Sequence, residues 1–113
     1  MHELSLTQNL IEVAEEHARR EGASAILSIT VKIGALSGVV AEAVEFAFEV
    51  CARGTLADGA QLRIIPVPAI GRCRQCAEEV AMTSPVDACP GCGGFALDLL
   101  QGEEMALTEM EID

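Results

Sequence analysis

Four cysteines in two tight pairs, Cys73-Arg74-Gln75-Cys76 and Cys89-Pro90-Gly91-Cys92, are the residues best spaced for chemistry. Each C-x2-C pair can set two thiolates on one metal ion. The 12 residues between the pairs can carry the second pair round to the ion's other side. Four sulfurs complete the tetrahedron that zinc takes in structural sites, and such a site leaves no coordination position open for catalysis. Iron held by four thiolates is the rival. The chain has no Trp or Tyr and only three Phe, so the aromatic packing expected round a redox centre is scarce.

A closed zinc site explains architecture, so a functional site is sought at the other end, in Met1-His2-Glu3. A bulky His at position 2 disfavours removal of the initiator Met, and a free α-amine on Met1 is expected. The Met1 amine, the His2 backbone nitrogen and the His2 ring Nδ1 can then wrap one ion in two fused chelate rings. Nitrogen donors in that arrangement suit a square-planar ion, Ni(II) or Cu(II), rather than Zn(II). The fourth position falls to the Glu3 backbone nitrogen or to a partner's group. Amide nitrogens ligate only when deprotonated, so affinity should rise with pH. The plain alternative is a solvated terminal histidine.

Net charge narrows the partners. The chain of 113 residues carries −11 at neutral pH. Its basic residues are Arg19, Arg20, Lys32, Arg53, Arg63, Arg72 and Arg74, with none beyond, whereas the tail holds nine acids from Glu78 to Asp113. A zinc ribbon that bound nucleic acid would need a cationic face, so no nucleic-acid partner is expected. An acidic surface favours cations and basic protein partners. The longest apolar runs fall far short of the roughly 20 residues that span a bilayer, so no membrane association is expected. No secretory signal is visible, and the expected compartment is the reducing cytoplasm, where paired cysteines serve as metal ligands.

The elements that must position these residues follow from periodicity. Residues 5–21 read as a helix, with Ser5 and Gln8 as a capping box, Leu6, Leu10, Ile11, Val13, Ala14 and His17 along its apolar stripe, and Gly22 as its stop. Residues 26–33 alternate as a strand, with Leu27, Ile29, Val31 and Ile33 on the buried side and Ser28, Thr30 and Lys32 on the other. A second helix over 41–52 buries Val44, Ala47, Phe48 and Cys51. A second strand from Leu62 to Val67 is interrupted by Pro66 and Pro68. Residues 104–112 read as a last strand whose alternation slips between Leu107 and Met110. The fold expected is α+β: a small three-stranded sheet covered by two helices, with an inserted four-cysteine zinc-ribbon module. The domain division expected is 1–68 plus 101–113 for the α+β domain that bears the N-terminus and 69–100 for the zinc module, whose folding should be coupled to its metal.

Several segments together resemble the HypA/HybF family of nickel metallochaperones in [NiFe]-hydrogenase maturation. They are Met1-His2-Glu3-Leu4-Ser5, Lys32-Ile33-Gly34-Ala35-Leu36-Ser37-Gly38, Phe46-Ala47-Phe48-Glu49, Gly59-Ala60-Gln61-Leu62, the two cysteine knuckles with Gly93, and Gly102-Glu103-Glu104-Met105. The resemblance covers essentially the whole chain. It implies Ni(II) as transported cargo at Met1, His2 and Glu3, and structural Zn(II) on Cys73, Cys76, Cys89 and Cys92. It also implies a nickel-binding GTPase partner, HypB, delivery to the hydrogenase large subunit, and urease maturation proteins as a further client system. It implies no catalytic turnover, so the chain is not expected to be an enzyme.

Two rivals stand beside this reading: a zinc-ribbon adaptor that only mediates protein contacts, and a rubredoxin-like electron carrier. Other residues have plainer explanations. His17, the only other histidine, is read as a packing or surface residue unless it or a partner completes the nickel square. Cys51 is read as a small hydrophobe, Met105 and Met110 as strand packing, Glu103 and Glu104 as a solvated turn, and the glycines around Gly34 and Gly91 as turns.

Overall fold

The computed structural model describes residues 2–113, with side chains from Glu3 onward. The chain runs α1 (His2–Arg20), β1 (Ile26–Gly34), α2 (Ala41–Cys51), β2 (Gln61–Val67), β3 (Ile70–Cys73), β4 (Glu79–Ala81), β5 (Leu97–Gln101) and β6 (Met105–Ile112). One sheet has the order β2-β1-β6, and a second has the order β4-β3-β5. The last strand thus returns beside the first, and the cysteine-bearing strands lie between as an insertion. This is the α+β fold expected. Two compact units result, one of Met1–Lys32, Val39–Ile65 and Ala106–Asp113, the other of Ile33–Gly38 and Pro66–Met105. No helix among the described residues is long and apolar enough to cross a membrane.

In the first unit α1 begins three residues earlier than the capping box suggests. A capping serine needs non-helical backbone, and Ser5 already lies inside the helix, so the box does not form. Instead the Thr7 hydroxyl donates back to the Glu3 carbonyl at 2.6 Å. The helix ends as expected. Gly22 adopts a φ of 75°, its N–H donates to Arg19 O at 3.0 Å, and Ala23 N–H donates to Ala18 O at 2.9 Å, which is a Schellman stop.

The stripe that α1 buries is rotated from the one expected. Thr7, Ile11, Ala14 and Ala18 are buried, while Val13 and His17 are exposed. Hydrophobicity favours the large residues, but two packed helices approach most closely through small ones, and α1 packs against α2 with two alanines and a threonine in its buried row. Helix α2 contributes Val44, Ala47 and Phe48 to the core, and Cys51 is half-buried. Its N-cap, Val40, has no capping side chain of its own. The Glu3 carboxylate accepts the Val40 N–H at 3.2 Å, so the first turn of α1 holds the start of α2.

Strand β1 is central in its sheet, and this changes its burial. Ile29, Val31 and Ile33 are buried as expected, but Leu27 is exposed, and Ser28 and Thr30 are buried as well. A middle strand is flanked on both edges, and its small polar side chains are covered by residues from the neighbouring strand. Ser28 Oγ donates to Glu111 Oε1 at 2.6 Å, and Thr108 Oγ1 donates to Thr30 O at 3.4 Å. Strand β2 runs through Pro66 rather than breaking there, because it is an edge strand and can spare an N–H. Along β6 the half-buried residues are Met105 and Leu107, then Met110 and Ile112, so the slip in phase is real. The chain end is tied down: the Asp113 carboxylate accepts the N–H groups of Ser24 and Ala25, at 3.0 and 3.2 Å, and the Ser24 hydroxyl.

In the second unit β3 pairs antiparallel with both neighbours, placing Arg72 opposite Glu79 and Cys73 opposite Leu97. Gly34 is not a turn residue here. It is the last residue of β1, and a Cβ on it would lie 2.1 Å from Gly102 O. The absence of a side chain lets the two backbones meet: Gly34 N–H donates to Glu104 O and Leu36 N–H to Gly102 O, each at 2.7 Å.

Candidate metal centre

Each cysteine pair sits on a knuckle with the same backbone wiring. Ala77 N–H donates to Cys73 O at 2.8 Å and Cys73 N–H to Glu78 O at 2.9 Å. Gly93 N–H donates to Cys89 O and Cys89 N–H to Gly94 O, both at 2.7 Å. The residue four beyond the first cysteine of each pair must turn left-handed. Gly93 does so at a φ of 75°, and Ala77 does so at 64°, the one non-glycine among the described residues with a positive φ. The two knuckles face each other, with Cys73 Sγ to Cys92 Sγ and Cys76 Sγ to Cys89 Sγ each at 3.6 Å.

All four sulfurs lie within 4.8 Å of one another. A tetrahedron with zinc–sulfur bonds of about 2.3 Å has edges of about 3.8 Å, so the donor set fits that ion. Cys73 and Cys89 are buried, and Cys76 and Cys92 are exposed. The Cys76 N–H, working against burial, holds the Cys73 pKa at about 7. For Cys76 the Glu78 N–H acts downward, but burial and the neighbouring sulfurs prevail and push it up to about 12. Asp87, two residues before Cys89, binds back to the turn that precedes it. Its carboxylate accepts the N–H groups of Thr83 and Ser84, at 2.6 and 3.2 Å, and the Thr83 N–H above all holds its pKa below the usual carboxylate value.

Of the three N-terminal residues singled out for nickel, Met1 and the His2 side chain lie outside the described residues. The His2 backbone opens α1, and Glu3 is in its first turn. His17 cannot join them on one ion within a chain. α1 is continuous between the two histidines, and 15 residues at about 1.5 Å each separate them by roughly 22 Å. Glu104 does not form a site either; its carboxylate accepts the Gly102 N–H at 2.7 Å.

With this geometry established, comparison with known proteins is decisive. Residues 1–112 match the family model described as hydrogenase/urease nickel incorporation, metallochaperone, hypA. The chain belongs to the HypA family. Hydrogenase maturation factors HypA from Geotalea uraniireducens and Geobacter sulfurreducens are 46% and 47% identical to it over 113 residues, covering 100% of each chain. The solution structure of the nickel metallochaperone HypA from Helicobacter pylori superposes with a TM-score of 0.69 at 28% identity, covering 97% of this chain and 96% of that one. A second HypA solution structure gives 0.71 at 29% identity, covering 99% and 96%.

Membership in the HypA family, nickel metallochaperones of hydrogenase maturation, confirms the resemblance drawn from the sequence segments. Two of those segments meet in the fold, since Gly34 and Gly102 form the close backbone approach described above. Sequence reading missed that meeting, and it missed the shared wiring of the knuckles. The second was open to inspection, because Ala77 and Gly93 occupy the same place after their cysteine pairs.

Proposed function

We propose that this HypA-family chain carries Ni(II) at its N-terminus and hands it over during maturation of [NiFe] hydrogenase. The full-length match to a nickel-incorporation family, on a chain that opens Met1-His2-Glu3, carries the reading. The donors are the Met1 amine, the His2 backbone nitrogen and Nδ1, with the Glu3 backbone nitrogen or a partner's group in the fourth position. The start of α1 supports this. The His2 and Glu3 amides lie in the first turn of α1, ahead of the residues whose N–H groups close the helix ladder. The anionic nitrogen that nickel requires would also sit at the positive end of the helix dipole. An ion held at a chain terminus can be reached by a receiving site before release.

Cys73, Cys76, Cys89 and Cys92 hold Zn(II), which closes the module over 69–100, while 1–68 with 101–113 forms the nickel-binding domain. The chain turns over no substrate. Its partners are a nickel-binding GTPase of the HypB type and the hydrogenase large subunit, with urease maturation as a second client system, in the cytoplasm.

Calorimetric titration with Ni(II) tests the reading, using the native terminus, His2→Ala, and a chain extended by one residue before Met1, with zinc quantified in each. Loss of nickel binding in both altered chains, with zinc retained, is expected. Undiminished binding by the extended chain overturns the terminal-amine donor set. Undiminished binding by His2→Ala as well removes nickel from the terminus and leaves the adaptor reading. A red, iron-containing product in place of zinc would make the cysteine site an electron carrier.

A further inference from the structure

Helix α2 is apolar on two adjoining faces, and the core uses only one of them. Val44, Ala47 and Phe48 point inward. Ala43, Phe46, Ala47 and Val50 form a second row at helical spacing, and its larger members are open to solvent: Phe46 is 72% exposed and Val50 45%. Beside this row lies Leu4, 37% exposed, from the first turn of α1. Together with Glu3 these residues line a groove of about 350 Å³. Glu3 lies in its wall, and Glu42 and Glu49, both exposed, stand at i−4 and i+3 from Phe46 and so flank the row on one side. No Lys or Arg occurs in residues 1–18 or 41–51.

We propose that this groove receives an amphipathic helix of a partner protein, with an apolar row flanked by Lys or Arg. The inference does not depend on the nickel donors. A groove between two helices admits a third by its apolar face, read at i, i+3, i+4 and i+7. Phe46 is the anchor, because an aromatic that gains burial only in the complex dominates such an interface. Charge selects the occupant. A second copy of the chain, docked by the same face, would set Glu42 and Glu49 against their own counterparts. An anionic membrane would be repelled by the same acids. A basic helix satisfies both the apolar floor and the acidic rim. Because Glu3 lies in the groove wall and also holds the Val40 N–H, a helix seated there would touch the turn that bears the N-terminus.

The test uses the full-length zinc protein, isotope-labelled for NMR, and two synthetic helical peptides of about five turns. Both carry Leu and Phe at i, i+3, i+4 and i+7; one has Lys flanking that row and the other Glu. The Lys peptide should bind saturably, with amide shifts confined to the surroundings of Leu4, Ala43, Phe46 and Val50. Raised salt should weaken it, and the Glu peptide should bind at least about tenfold more weakly. Phe46→Ser, and independently Val50→Ser, should weaken the Lys peptide by about tenfold or more while leaving the circular dichroism, zinc content and nickel titration unchanged. Glu42→Lys with Glu49→Lys should reverse the preference between the peptides. No binding, equal binding of the two peptides, or shifts elsewhere overturns the proposal. So does a wild-type dimer that Phe46→Ser splits in sedimentation, or binding to vesicles of anionic phospholipid that Phe46→Ser abolishes.

Discussion

Replacing Gly34 by alanine should destabilise this chain severely. The new Cβ would fall 2.1 Å from Gly102 O, 2.2 Å from Gly102 C and 2.7 Å from Glu103 N, all of them backbone atoms that no rotamer change can move aside. The two segments must part by about 1 Å to reach even 3.0 Å, below which real Cβ contacts are essentially never seen. That displacement stretches the bonds Gly34 N–H to Glu104 O and Leu36 N–H to Gly102 O, each 2.7 Å, past hydrogen-bonding range. Two lost bonds at about 1 kcal/mol each, with about 1–3 kcal/mol for the forced backbone shift, sum to about 3–5 kcal/mol. At about 4 °C per kcal/mol the melting temperature should fall by roughly 12–20 °C. Thermal melts of the zinc-loaded protein measure the fall, and amide exchange locates it, with Gly34 and Leu36 losing protection first. Gly38→Ala is the control. Gly38 has a φ of 77° but nothing within 4 Å of its would-be Cβ, so that change should cost only the left-handed strain, about 1–2 kcal/mol. If Gly34→Ala costs no more than Gly38→Ala, the reasoning from close approach is wrong.

Other perturbations separate the parts of the molecule. Removing the zinc by chelation, or replacing Cys73 by serine, should abolish exchange protection in β3, β4 and β5 while α1 and α2 keep theirs, as read by NMR. Ala77→Gly should stabilise the loaded protein by about 0.5–1 kcal/mol by relieving its left-handed alanine, whereas Gly93→Ala at the matching place should destabilise it by about 1–2 kcal/mol, both measurable by urea titration. The Ser24 hydroxyl, with the N–H groups of Ser24 and Ala25, holds the Asp113 carboxyl below its ordinary value of 3.8. A depressed folded-state pKa contributes stability above the unfolded value and loses it as pH falls through the folded one. Wild type should therefore lead Asp113→Asn at neutral pH, and that lead should shrink below about pH 4 in denaturation series. A gap that widens with acid would contradict the assignment.

How much could be read without coordinates depends on the range of the interaction involved. The cysteine pairs were legible because metal chelation by C-x2-C is a local matter of spacing. Helix α2 and the Gly22 stop were legible because both are written within a few residues. The capping box at Ser5 misled because its residues fit the pattern while the backbone had already turned helical at His2. The stripe of α1 held at Ile11 and Ala14 but misled elsewhere because side-chain size stood in for burial, and the surface it meets admits Thr7 and Ala18 rather than Val13.

The sequence by itself determined the four-cysteine donor set, the single insertion between returning strands, the acidic field and the family. These are properties of residue type, spacing and charge, which hold before any long-range contact forms. Only the tertiary structure decided that β1 lies between β2 and β6, that Ser28 and Thr30 are therefore buried, and that Gly34 must be bare where Gly102 crosses it. It also decided that Phe46, which periodicity leaves off the buried face, lines a groove with Leu4 from the first turn of α1. Which of two apolar faces a helix buries depends on what packs against it, and that partner is distant in the chain.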